Sequence, residues 1–158
     1  MSAATTIWFG TKNDDRANPP PLAAARDLTP SAAPVPRILI VEDELFVAWH
    51  LESILQDLQF EICGMVGEGE LAIEKAKELN VNIVLMDINL GGQMDGIDAA
   101  ANIKREQQAS IIFVTAYTDE NTRRRINAVL PGAPLLAKPV SPDELRRAIE
   151  AVWKTRGH

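Results

Sequence analysis

Five short apolar runs punctuate the chain, and four of them stop on a residue able to do chemistry. Arg37-Ile38-Leu39-Ile40-Val41 stops on Glu42, Asp43 and Glu44; Val81 to Met86 stops on Asp87; Ser110 to Val114 stops on Thr115; Leu135-Leu136-Ala137 stops on Lys138-Pro139. The fifth, Phe60 to Val66, alternates through Phe60, Ile62, Gly64 and Val66. Apolar runs of this length bounded by turn signals predict strands, and unbroken ones predict strands buried on both faces. Between them the spacing becomes helical. Val47, Leu51, Ile54, Leu55 and Leu58 mark a helix over 45–58, and further helices are predicted over 71–79, 97–107 and 119–130. The last has the clearest start: Ser141-Pro142-Asp143-Glu144 sets an N-cap serine before a first-turn proline and a glutamate at the third position, and the helix runs to about Lys154.

Strands alternating with helices predict an α/β fold, a doubly wound five-stranded parallel sheet with helices on both faces. Right-handed crossovers bring every strand's C-terminal end to one edge of the sheet. Glu42, Asp43, Asp87, Thr115 and Lys138 are therefore expected around one crevice, where open parallel sheets place their chemistry.

Composition adjusts this picture at its margins. The chain has 158 residues, 46% hydrophobic and 24% charged, a balance that suits one globular core. Residues 1–36 differ: Pro19, Pro20, Pro21, Pro30, Pro34 and Pro36 alternate with alanines and predict a disordered arm, leaving 37–158 as the folded domain. Ile7-Trp8-Phe9 is the arm's one apolar cluster, read either as incidental or as a short docking motif. The arm's charges cancel, so the net −6 falls on the domain and argues against a DNA partner. No apolar stretch reaches the roughly 20 residues that span a bilayer, and no signal peptide opens the chain, so a cytoplasmic protein without a membrane partner is expected. The single cysteine, Cys63, excludes an internal disulfide and reads as a small core hydrophobe. Arg123-Arg124-Arg125 reads as a solvated helix face, and His50 and His158 as incidental.

Carboxyl groups packed at neighbouring strand ends repel, and a divalent cation relieves them. Magnesium suits such a site because it takes oxygen ligands and usually needs one or two carboxylates plus a phosphate. A hydroxyl at Thr115 and a cation at Lys138 both hold phosphate oxygens. The set describes a phosphoryl-acceptor site, with Asp87 the nucleophile because it ends its strand with no neighbouring acid.

These residues resemble the receiver domain of two-component response regulators over Arg37 to about Lys154. The matching pieces are ILIVEDE, IVLMDINL, MDG at Met94 to Gly96, IIFVTAY and LLAKP. The resemblance implies a flavodoxin-like fold with strand order 2-1-3-4-5. It makes Asp87 the phosphoacceptor, gives Mg²⁺ to Glu42, Asp43, Asp87 and the backbone carbonyl of Asn89, makes Thr115 the switch hydroxyl, and sets the phosphate-binding Lys138 before a usually cis Pro139. Ala116 and Tyr117 are implied as modulating positions, FVTAY looking like the Phe-x-Thr-Gly-Tyr subgroup of single-domain receivers with Ala116 for the glycine. Three departures stand out: the loop after Asp87 is one residue longer than the usual pattern, Gly91 stands where proline is common, and Leu135 replaces an aromatic residue that moves on phosphorylation. Tyr117 is the residue expected to take over part of that switch.

The function expected is that of a stand-alone phosphoacceptor rather than an enzyme acting on other molecules. It is loaded by a histidine kinase or phosphotransfer protein and read by an unknown downstream protein. A homodimer through the fourth helix, fifth strand and fifth helix, pairing arginines 123–125 with acids such as Asp143, is one arrangement the charges allow. The alternatives are a receiver fragment of a hybrid kinase or longer regulator, an aspartyl-phosphate phosphatase, and a receiver-like module that is never phosphorylated. The phosphatase needs a second acid two residues after its nucleophile, where this chain has Asn89.

Overall fold

A computed structural model describes residues 34–157. Most of the proline-rich arm, its Ile7-Trp8-Phe9 cluster, and His158 lie outside the described residues. The elements run β1 (Arg37–Val41), α1 (Leu45–Asp57), β2 (Glu61–Val66), α2 (Gly69–Glu78), β3 (Ile83–Met86), α3 (Gly96–Glu106), β4 (Ser110–Thr115), α4 (Glu120–Val129), β5 (Leu135–Ala137) and α5 (Pro142–Lys154). All the strand pairings are parallel and the order is β2-β1-β3-β4-β5, as the sequence predicts.

The side-chain period of two explains both faces of the sheet. Ile38, Ile40, Ile83, Leu85, Ile112 and Val114 point to the side covered by α1 and α5, where Leu51, Leu55, Leu145 and Ile149 close over them. Leu39, Val41, Val84, Met86, Ile111 and Phe113 point the other way, against Ala72, Ala76, Ile97, Ala100, Ile103 and Ile126 of α2, α3 and α4. Phe113 is fully buried, a stabilisation of about 1.5–3 kcal/mol from that side chain alone.

Register carries this packing to the site. Val41 aligns with Met86 and Met86 with Phe113, so β1 and β3 end level and Glu42 and Asp87 leave the sheet side by side, while β4 continues two residues further to Thr115. Thr115 aligns with Ala137, which sets Lys138 beside it.

Two element boundaries differ from the sequence reading by two residues, and the others agree to within one. α2 starts at Gly69, not Leu71, because Gly69 lets the first turn pack against α3: a β-carbon there would lie 3.1 Å from the Met94 carbonyl and 3.2 Å from Ala99. β3 starts at Ile83, not Val81; Asn80 at φ 50° turns the chain, and buried Val81 still caps α2 by donating its N–H to the Ala76 carbonyl at 3.0 Å. In β2 the alternation breaks at a register shift opposite Ile38 and Leu39, where the Cys63 thiol donates to the Ile38 carbonyl at 3.1 Å. Burial holds that thiol's pKa above its ordinary value, which fits a packing role.

Candidate phosphoryl-acceptor site

The site begins one residue past β1, β3 and β5 and at the last residue of β4. Glu42, still in the β1–β2 ladder through its N–H to the Val66 carbonyl, is 5% exposed, and its Oε1 accepts the Glu44 N–H at 3.0 Å. Asp87 donates its N–H to the Val41 carbonyl and is likewise 5% exposed. Its Oδ1 accepts the Ile88 N–H at 2.7 Å and, more weakly, the Asn89 N–H at 3.4 Å. Asp43 is exposed, and its Oδ2 accepts the Gly91 N–H at 3.1 Å. Lys138 reaches in from beyond β5 and ion-pairs with both buried acids, its Nζ 2.9 Å from Asp87 Oδ2 and in a short contact with Glu42 Oε2. The Lys138–Pro139 peptide is cis, as the resemblance implied.

Electrostatics follows from that crowding. Burial pushes the Glu42 carboxyl above its ordinary pKa, outweighing the Lys138 ammonium and the Glu44 N–H that favour its charge. Burial also acts to lower the Lys138 pKa, but its hydrogen bonds to Glu42 and Asp87 outweigh burial and raise it. One oxygen from each of Glu42, Asp43 and Asp87 lies within 4.8 Å of the others. Three carboxyl groups, two of them buried and sharing the Lys138 ammonium, form an all-oxygen donor set of the kind a small hard divalent cation takes. The residues present fit Mg²⁺.

Thr115 is fully buried; its Oγ1 accepts the Tyr117 N–H at 3.3 Å, and its carbonyl accepts the Lys138 N–H at 3.0 Å. The Tyr117 side chain is 55% exposed, and Ala116 is exposed beside it. Tyr117 thus meets the site through its backbone. Leu135 is half-buried opposite Phe113. Glu42, Asp43, Asp87, Thr115 and Lys138 lie around one crevice at the strand ends, and Asn89 touches it through its N–H to Asp87 Oδ1.

Three features escaped the sequence reading. A β-carbon on Gly96 would fall on the Asp87 carbonyl oxygen, 2.8 Å from its carbon and 2.9 Å from Ile88 Cα, so α3 begins jammed against the acceptor's own backbone. Next to it, Asp95 caps α3, its Oδ1 accepting the Ile97 and Asp98 N–H groups at 2.9 Å, while Oδ2 pairs with Arg125 of α4. Arg125 therefore departs from the solvated-face reading that Arg124, paired to Glu120 on its own helix, obeys. The third feature is an apolar groove of about 390 Å³ beside Lys138, lined by Phe46, Val47, His50, Leu51, Pro139 and Val140. Phe46, 81% exposed, and Trp49 meet edge to face at 5.7 Å. Their signal was present: both lie off the apolar stripe of their helix. His50, read as incidental, lines the same groove.

The sequence model of the response regulator receiver domain matches residues 38–150. The chain is 36% identical over 123 residues to the transcriptional regulatory protein PdtaR of Mycobacterium tuberculosis, an alignment covering 77% of this chain but only 59% of that protein's length. It is 36% identical over 120 residues to the chemotaxis protein CheY of Thermotoga maritima, covering 75% of this chain and 98% of that one. The signal receiver domain of a modulated diguanylate cyclase from Desulfovibrio desulfuricans superposes with a TM-score of 0.73 at 36% identity, covering 78% of this chain and 97% of that chain. With its flavodoxin-like strand order and its acids gathered at the strand ends, the chain belongs to the response regulator receiver domain family.

Proposed function

We propose that the protein is a phosphorylatable switch that takes a phosphoryl group from a histidine kinase or phosphotransfer protein onto Asp87. The observation that carries this reading is the setting of that carboxylate: buried at a strand end, one oxygen held by the Ile88 N–H and the other 2.9 Å from Lys138 Nζ.

An Asp87 oxygen attacks phosphorus in line; the new O–P bond forms as the P–N bond to the donor imidazole breaks. The electron pair stays on the imidazole nitrogen, which picks up a proton. Lys138 faces the charge that builds on the phosphoryl oxygens. Glu42, Asp43, Asp87 and the Asn89 carbonyl would hold Mg²⁺, which when bound neutralises part of that same charge. The product adds about −1.5 to −2 charges and three acceptor oxygens beside Lys138 and the Thr115 hydroxyl. Contacts made only in the phosphorylated state bias a two-state equilibrium in α4, β5 and α5. Asn89, Ala116 and Tyr117 border the phosphoryl group and tune how fast water removes it.

The donor approaches over the strand-end edge, and the groove lined by Phe46, His50 and Pro139 is the apolar surface next to the acceptor that it would cover. Output is a protein contact, with a homodimer through α4, β5 and α5 one form of it, and the working compartment is the cytoplasm. No helix among the described residues is long and apolar enough to cross a membrane.

Incubating the protein with a small phosphodonor and Mg²⁺ and measuring intact mass tests the proposal. A labile phosphoryl adduct on the wild type, absent from Asp87→Asn, is expected. No adduct, or an undiminished one on the variant, would sink it; turnover of a phosphorylated metabolite would favour the phosphatase.

A further inference from the structure

The three acids are not held alike. Glu42 and Asp87 are buried, each accepts an N–H from its own strand end, and they share Lys138. Asp43 is exposed and has neither support. Among the described residues its carboxylate takes its hydrogen bond from across the crevice, from the Gly91 N–H at 3.1 Å. Gly91 lies four residues past Asp87, in the loop between β3 and α3. That loop is itself anchored: Gly91 forms a parallel bridge with Glu68 at the start of α2, and Gly92 at φ 104° turns the chain back toward α3.

We propose that Gly91 is a positioning residue whose amide fixes the Asp43 carboxylate for the divalent cation, so that the loop following the acceptor also sets the exposed metal ligand. This rests on the reading of the three acids as a Mg²⁺ site. An exposed aspartate left to itself samples several rotamers, and the cation must freeze one of them. The Gly91 amide freezes it in advance. It occupies one of the roughly four lone-pair sites of the carboxylate and leaves the rest for the metal. The property required of position 91 is thus a free N–H rather than the absence of a side chain: Gly91 does not have a left-handed φ, and a β-carbon there would lie 3.6 Å from Asp43 Oδ2, an ordinary contact.

The test separates those two properties in the full chain. Gly91→Ala keeps the N–H and Gly91→Pro removes it. Mg²⁺ is titrated into each ¹⁵N-labelled protein and Kd is read from the amide shifts around Asp87. The Kd of Gly91→Ala should match the wild type. That of Gly91→Pro should be about 3- to 10-fold weaker, the factor set by ordering one side chain, while its phosphorylation rate at saturating Mg²⁺ is retained. Equal binding by Gly91→Pro, or equally weak binding by Gly91→Ala, overturns the inference. Should Gly91→Pro fail to fold by circular dichroism, the Gly91 amide decides alone. In Asp43→Ala its proton should move upfield and exchange faster; an unchanged resonance overturns the inference. A wild type that shows no Mg²⁺-dependent shifts removes the metal site itself, whereas normal wild-type binding with no effect at position 91 removes only Gly91's part in it.

Discussion

Replacing Gly96 with alanine should damage this protein more than any other single methyl added at a glycine. The added carbon would meet the Asp87 carbonyl and Ile88 Cα, backbone atoms that have no rotamer to escape into. Overpacking of this kind costs about 1–3 kcal/mol even where side chains can adjust. If the first turn of α3 backs away, the hydrogen bond from the Gly96 N–H to the Ile88 carbonyl, 2.9 Å long, is lost, a further ~1 kcal/mol. Alanine's better helix propensity returns at most about 1 kcal/mol. The lost hydrogen bond and the propensity gain nearly cancel, so the net loss should be about 1–3 kcal/mol, a large part of the 5–15 kcal/mol typical of a domain. Urea unfolding followed by circular dichroism measures it, with an unchanged m-value and a midpoint lowered by about 0.5–2 M. Gly132→Ala is the control. Gly132 has φ 80° with nothing within 4 Å, so it should lose only the ~1–2 kcal/mol that a left-handed conformation costs an alanine. A Gly96→Ala protein within about 0.5 kcal/mol of wild type, the range of an ordinary surface change, would show that the Asp87 backbone does not confine position 96.

Other outcomes follow from the same contacts. Asp95→Ala should cost about 1–2 kcal/mol by uncapping α3, whereas Asp95→Asn keeps a cap acceptor and should lose only the Arg125 pair, about 0.2–1 kcal/mol. Partial burial pushes the Asp95 carboxyl up, but the Asp98 N–H, Arg125 and the Ile97 N–H outweigh it and hold the pKa low. The stability it adds is therefore present above its unfolded pKa of about 3.9 and lost as pH falls through the lower folded value, so the Asp95→Asn gap should close in acid denaturation scans. Lys138 has the opposite sign: its pKa is raised, so its contribution is complete below the unfolded value of about 10.4 and disappears as pH rises through the folded one. Wild type should lose stability in that alkaline range, and Lys138→Met, already weaker at neutral pH, should show no matching loss. Mg²⁺ at about ten times its Kd should stabilise the wild type by about 1.4 kcal/mol, and a chelator or Asp43→Asn should abolish the gain.

How much of this was written in the residue pattern depends on what a pattern encodes. Apolar period reports burial, and it located β1, β3, β4 and β5 because nearly every side chain of those strands is covered or half-covered. Parallel topology then carried Glu42, Asp87, Thr115 and Lys138 to one edge without any knowledge of contacts. What the pattern does not encode is which atoms meet. Gly96 reads as a turn residue, yet its task is set by the Asp87 carbonyl. Arg125 reads like its two neighbours, yet the helical turn aims it at Asp95 on α3. Val81 reads as strand, yet it precedes β3: its side chain packs in the core while its N–H closes the end of α2. Tyr117 was expected at the switch by its ring, whereas its N–H is what touches Thr115.

Chemical trapping reads out whether the Asp87 carboxylate is the acceptor. An acyl phosphate is reduced by borohydride to an alcohol, so treating the phosphorylated protein and sequencing its peptides by mass spectrometry marks the modified carboxyl. Homoserine is expected at position 87 and nowhere else. Reduction at Glu42 or Asp43, or a stable phosphoryl adduct that leaves Asp87 unreduced, would contradict it.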